Sequence, residues 1–281
     1  MRTTRVIAIL SLALLLNAGF SSCKKAEPVA GFSFITDGKT VTFVNESTDA
    51  DTYLWNFGDN TTSTEQSPAH TYDDYGLYPV TLKATGAGGE NAFAQDVEVL
   101  FTPVMTIDGD FTKWAAVDNF ITGAGGTMTK VKLANDEKYL YVYVEGTDAF
   151  RGFFDIYIDS DNNTASGATT WIYPLGSGAD YLIEGNIAGT GDADLLSDDP
   201  STDAWSWLSS VAAGSGLIKA SALKPITGGK AIEFSIMRER VRNLGTTIHL
   251  GFVDIAEDWN IQGGLPLIGG ENSALQEYSF K

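Results

Sequence analysis

His70 and His249 are the only histidines in the 281 residues, and Cys23 is the only cysteine. A nucleophile–base pair would have to join His249 to a serine, and no Gly-x-Ser-x-Gly marks one. Neither His-Glu-x-x-His nor the full phosphate-loop pattern Gly-x-x-x-x-Gly-Lys-Ser/Thr occurs. Glu184 and Glu233 lie in strand-like runs and are the carboxylates to weigh for glycoside cleavage. That chemistry is set by separation in space, which spacing along the chain does not fix. The alternative is that both are partly solvated or paired surface groups. The chain is expected not to be an enzyme, with no catalytic residue assigned.

A second cluster runs from 159 to 167 as Asp-Ser-Asp-Asn-Asn-Thr-Ala-Ser-Gly. Oxygen ligands at alternate positions, here Asp159, Asp161 and Asn163, suit a hard cation such as Ca²⁺. The helix–loop–helix calcium motif is excluded, because its glycine spacing and distal Glu are missing. The other reading is a turn rich in Asp and Asn that bond their own backbone. If Ca²⁺ binds, a structural role in fixing the loop is expected.

The aromatics offer binding chemistry. A sugar ring presents a face of C–H groups to a flat apolar ring and leaves its hydroxyls for polar side chains. Trp171 and Tyr173 stand in a Gly/Thr-rich stretch, and Trp205 and Trp207 follow an acidic run. Trp259 follows Glu257-Asp258 and precedes Asn260 and Gln262. The four Trp fall outside clear alternating strands, which marks them as glycan contacts together with Tyr173. Against this, Trp205 and Trp207 share parity and suit two inward positions of one strand.

The elements that must position these residues are strands. Gly is abundant, at 30 residues, and aromatics reach 11%, as in turn-rich β folds. The net charge of −18 argues against nucleic acid or anionic lipid headgroups and favours a neutral polysaccharide or oligosaccharide. At the start, Arg2 and Arg5 precede an apolar run over 6–16, broken by Asn17 and Gly19. The run is too short for a comfortable membrane span. Residues 1–22 therefore read as a signal peptide. Gly19-Phe20-Ser21-Ser22 before Cys23 resembles the lipobox of bacterial lipoproteins, which implies acylation of Cys23 and a membrane contact through that anchor alone. Phe20 departs from the usual Leu of that box. Residues 23–30 then form the anchor and tether.

From 31 to 101 short runs alternate: Val41 and Phe43, then Tyr53, Trp55 and Phe57, then Tyr78, Val80 and Leu82. The segment Tyr53-Leu54-Trp55-Asn56-Phe57-Gly58-Asp59, with Pro68, His70-Thr71-Tyr72, Gly76 and Tyr78-Pro79-Val80-Thr81-Leu82, strongly resembles a PKD domain. The resemblance implies an immunoglobulin-like sandwich acting as a spacer. Trp55 would be core, Gly58-Asp59 a tight turn, and His70 a structural group before Tyr72.

Residues 102–281 form a second unit, with Pro103 at the boundary. Strands are expected at 129–133, 139–144, 153–159, 181–184, 231–237, 247–254 and 275–280, with a helix of one or two turns over 237–244. In Tyr-Leu-Tyr-Val-Tyr-Val (139–144) both faces are apolar, as in stacked sheets. The opening Ile107-Asp108-Gly109-Asp110…Trp114 and this strand resemble the family 9 carbohydrate-binding-module-like β-sandwich, also seen in Bacteroidetes polysaccharide-utilisation lipoproteins. The resemblance implies a core role for Trp114. The expected whole is all-β, an immunoglobulin-like PKD sandwich followed by a larger, jelly-roll-like β-sandwich. It would be a glycan-binding outer-membrane lipoprotein at the cell surface, with outer-membrane transporters as further partners. The periplasmic face stays open, because Lys24-Lys25 are not the acidic tract of surface export. Structural or adhesive contact with another protein is the second reading, and a secreted carbohydrate-active enzyme the third.

Overall fold

The computed structural model describes residues 25–199 and 207–281. Cys23 and Trp205 lie outside the described residues. The chain divides into two compact units, one ending at Thr102 and the other spanning Pro103–Lys281.

The first unit contains β1 (Phe32–Asp37), β2 (Thr40–Asn45), β3 (Thr52–Asn56), β4 (Thr62–Ser63), β5 (Ala69–Thr71), β6 (Gly76–Gly86) and β7 (Gly89–Val99). They form a three-stranded sheet, β1-β2-β5, and a four-stranded sheet, β4-β3-β6-β7. Alternation buries Val41 and Phe43 while Thr42 faces water. Trp55 is fully buried among Phe32, Phe43, Val80 and Leu82, and its indole N–H donates to the Glu65 carbonyl at 2.9 Å. The turn after β3 needs Gly58, whose φ is +85° and where a Cβ would lie 2.9 Å from Pro79. Asp59 accepts from the Thr61 N–H at 3.0 Å, as an Asx turn does. His70 stacks on Phe57, with centroids 4.1 Å apart, and its Nε2 lies 2.6 Å from Asp59 Oδ2. Its role in this unit is packing.

The second unit contains β8 (Asn119–Gly125), β9 (Met128–Asn135), β10 (Tyr139–Gly146), β11 (Phe154–Asp159), β12 (Tyr181–Gly185), β13 (Asp194–Asp198) and β14 (Trp207–Val211). It continues with β15 (Ile218–Ala220), β16 (Lys224–Ile226), β17 (Gly229–Met237), β18 (Thr247–Ile255), β19 (Ile261–Leu265) and β20 (Gln276–Ser279). One sheet runs β15-β17-β10-β9-β8, with β16 also on β17. The other runs β14-β13-β12-β11-β18-β19, with β20 also on β18. Between them lies one apolar core drawn from both sheets, including Val142, Val144, Ile156, Ile158, Phe234 and Phe252. The sheets meet at one edge through the Gly126–Gly263 bridge. No side chain fits there, since a Cβ on Gly263 would sit 2.0 Å from the Gly125 carbonyl oxygen.

Both outer faces are also covered, which explains the two-sided apolar pattern of β10. Tyr141 and Tyr143 pack under the segment carrying Ile107, Phe111 and Trp114. Glu233 pins that segment, and the sequence expectation for it needs correcting. It is fully buried and accepts from the Asp108 and Gly109 N–H groups at 3.0 and 2.6 Å. The Trp114 indole donates to it at 2.7 Å and the Lys113 ammonium at 3.0 Å. Such a carboxylate is a structural hub with no room for substrate. The helix expected over 237–244 is only a 3-10 turn at Arg238–Arg240. Strands β8, β13, β14, β15, β16 and β19 escaped the sequence reading because each is very short or rich in Gly, Ser or Asp, and they take their register from neighbours.

Candidate functional site

Side chains alternate along β11, so Ile156 and Ile158 enter the core while Asp155, Tyr157 and Asp159 point outward. Cross-strand pairing extends these positions into rows. Tyr157 pairs with Leu182 and Leu182 with Leu196. Together with Ile172, Tyr173, Val253, Ile255 and Leu275 they make an apolar floor on the outer face of the seven-stranded sheet. Two acidic rows flank it.

The first row pairs Asp155 with Glu184 and Glu184 with Asp194. Burial, and then the Glu184 charge, push the Asp155 carboxyl up to about 7. Glu184 is half-buried and also raised, by burial and then by Asp194.

The second row centres on Asp159, which is fully buried and faces His249 across the β11–β18 pair. Its Oδ2 lies 3.3 Å from His249 Nδ1 and accepts no hydrogen bond. Burial raises its carboxyl as well. Asp161 and Asp180 bring carboxylate oxygens within 4.8 Å of those of Asp159. Three hard oxygens at that spacing could share one divalent cation. Asn163 belongs to the turn beside this cluster. Its N–H donates to Asp159 and Asp161 at 3.2 and 2.9 Å, and its own Oδ1 accepts from the Ala165 N–H. Asn163 shapes the turn, and Asp180 brings a third carboxylate near Asp159 and Asp161. No spacing rule could have marked Asp180, which stands just before β12 and is brought to Asp159 by the fold.

The aromatics divide. Trp171 is 67% exposed and immediately precedes Ile172 of the floor. Trp207 opens β14, half-buried against that floor. Tyr173 is not a ligand platform: it is buried against Tyr157, and its hydroxyl donates to the Phe252 and Pro266 carbonyls at 3.5 and 3.4 Å. Trp259 is 59% exposed with φ +65°, a left-handed conformation that bulky side chains rarely adopt. A turn holds it, with Trp259 N–H donating to the Ala256 carbonyl and the Ala256 N–H donating to the Asn260 carbonyl, both at 2.9 Å.

Trp259 meets Phe153 edge to face, and Phe153 lines a cleft of about 460 Å³ at the adjoining rim. Phe150, Arg151, Asn186, Lys230 and Glu257 share that cleft. Sequence reading missed Phe153, Arg151 and Lys230. The available signal was two cations close to aromatic positions in a chain holding only 18 Lys and Arg.

Comparison with known proteins bears on the first unit most directly. A family profile described as PKD domain matches residues 25–100, so the N-terminal unit is a PKD domain. The pre-pro-metalloprotease PrtV of Vibrio cholerae serotype O1 is 39% identical over 80 residues, 27% of this chain. Collagenase ColA of Bacillus cereus is 49% identical over 43 residues, 15% of this chain. The chain spans only 9% and 4% of the lengths of those two relatives. The crystal structure of the PKD1 domain of the V. cholerae protease is 36% identical, covering 27% of this chain and all of that one, with a TM-score of 0.26. A carbohydrate-binding module of the β-sandwich superfamily matches 82% of this chain and 97% of its own at 15% identity, with a TM-score of 0.26.

Proposed function

We propose that this chain is a non-catalytic glycan-binding protein whose second unit holds polysaccharide at the Trp259 rim, with the PKD domain as spacer. The observation that carries this reading is Trp259 itself. An indole 59% exposed, fixed in the left-handed region and seated on Phe153, is a rigid apolar surface beside Asp258 and Asn260. An aromatic ring stacks on the C–H face of a sugar at little entropic cost when it is already held. Shallow contact of this kind gives single-site affinities of roughly micromolar to millimolar. Acylation at Cys23 would tether the chain to the outer membrane, where many copies raise avidity and outer-membrane transporters are the natural partners. A structural Ca²⁺ held by Asp159, Asp161 and Asp180 belongs to the same reading. The test is retardation of the purified full chain by a polysaccharide panel in native gels, lost in Trp259→Ala.

A second reading rests on a separate surface. Trp171, Leu175 and Leu267 are all exposed on two loops joined by bonds from the Leu175 N–H to the Ser273 carbonyl and from the Gly269 N–H to the Ile172 carbonyl. An apolar surface on interlocked loops suits contact with another protein. Trp171→Ser would then abolish partner capture while leaving glycan retardation intact.

A further inference from the structure

The rim cleft sets two cations beside two acids, Asp148 and Glu257, in a chain of 36 acids and 18 cations. Here Arg151 and Lys230 both line the cleft. Lys230 is half-buried, and its ammonium reaches only the Phe150 carbonyl, at a long 3.4 Å. Among the described residues neither cation has a carboxylate within ion-pair distance. An ammonium with three donors and one weak acceptor retains capacity for a ligand. The Arg151 fork matches a carboxylate in two-pronged geometry.

The loop presenting Arg151 is held from beneath. Asp254 is fully buried and accepts from the Gly152 N–H at 3.0 Å and the Thr127 hydroxyl at 2.6 Å. Burying a carboxylate is costly, and what this one does is fix residues 151–153 beside the cleft. Gly152, at φ +73°, lets the loop close onto Ala188, where a Cβ would stand 2.6 Å away. An exposed Arg151 on this held loop, a half-buried Lys230 and the Phe153–Trp259 pair thus lie at one rim.

We infer that this cleft takes a sugar residue bearing a carboxylate, a uronic acid unit, with the carboxylate on Lys230 and Arg151 and the ring against the Phe153–Trp259 pair. The inference rests on the glycan-binding reading and narrows its substrate class, in place of the neutral glycan that net charge suggests. Asp148 and Glu257, exposed at the same cleft, offer acceptors for sugar hydroxyls.

The probes are polygalacturonate, polymannuronate and glucuronoxylan, each paired with its own methyl-esterified form, titrated into the full-length protein beside neutral glucans and mannans. Non-specific capture of polyanions is unfavourable for a protein of this charge, so retardation by an acid polymer reports the site. The expected result is binding of at least one acid polymer, weakened about tenfold or more by esterification and by Lys230→Gln or Arg151→Gln, with circular dichroism unchanged. Equal binding of acid and ester, or indifference to both substitutions, overturns the inference. Binding of neutral polymers alone overturns it while the glycan-binding reading stands. Binding of none removes both.

Discussion

Trp259 and Phe153 meet edge to face, with ring centroids 5.7 Å apart and planes at 79°. Phe153 comes just before β11 and Trp259 from the turn before β19, so the contact joins two loops of one rim. Aromatic pairs of this geometry contribute about 0.5–1.5 kcal/mol beyond area burial. Phe153→Ala is therefore expected to loosen Trp259 and weaken polysaccharide retardation, while Trp171→Ala leaves it unchanged. Native gels of the two variants check this.

Asp155 gives the second unit a pH dependence. Its carboxyl stands at about 7 in the folded chain, against about 3.9 when unfolded. Between those values the folded state keeps a proton that the unfolded chain has released. Stability therefore falls as pH rises from about 4 to about 7, then levels off. Asp155→Asn removes the titration and is expected to stabilise the protein at pH 8 by roughly 1–3 kcal/mol, with the gain fading toward pH 4. Urea unfolding at the two pH values is the measurement.

The opposite sign applies to Asp59 in the PKD domain. Burial raises its carboxyl, but hydrogen bonds from Thr61 and His70 outweigh that and hold it below the usual range. Its contribution is complete at neutral pH and disappears as pH drops below about 4. Asp59→Ala is expected to cost about 1 kcal/mol at pH 7, because the pair is partly solvated, and almost nothing at pH 2.

Glu233 should be the most sensitive single position of the second unit. Removing its carboxylate leaves the Lys113 ammonium, the Trp114 indole and two backbone N–H groups without their acceptor. Glu233→Ala is expected to destabilise by about 3–5 kcal/mol, read by denaturant unfolding with Trp fluorescence. Glu233→Gln, which keeps one acceptor oxygen, should lose less.

Millimolar Ca²⁺ is expected to raise the melting temperature of the full chain, since ligand bound only to the folded state stabilises it. Asp180→Asn should remove that rise, and Asn163→Ala, whose side chain serves the turn, should keep it.

Alternation made the strongest strands legible. The 139–144 run, with apolar residues of both parities, announced a sheet covered on both faces, and Trp55 was recognisable as core from its motif. Sites assembled across strands were not legible. Asp180 reaches Asp159 only because β12 pairs with β11, and Glu184 reaches Asp155 by the same pairing. Tyr173 and Trp171 are two residues apart and share one parity, yet one is buried and the other exposed. Loop packing decides that, because the Tyr173 hydroxyl finds acceptors beneath the loop. Arg151 and Lys230 are 79 residues apart, and only the rim brings them to one cleft.

The most direct test of the account is the affinity of the purified full-length chain for polysaccharides, compared with that of Trp259→Ala, by native gel retardation and calorimetry. The account predicts that at least one polysaccharide binds the parent and that the variant, with unchanged melting temperature, binds about tenfold or more weakly. Equal binding by both proteins, or no binding by the parent across the panel, would contradict it.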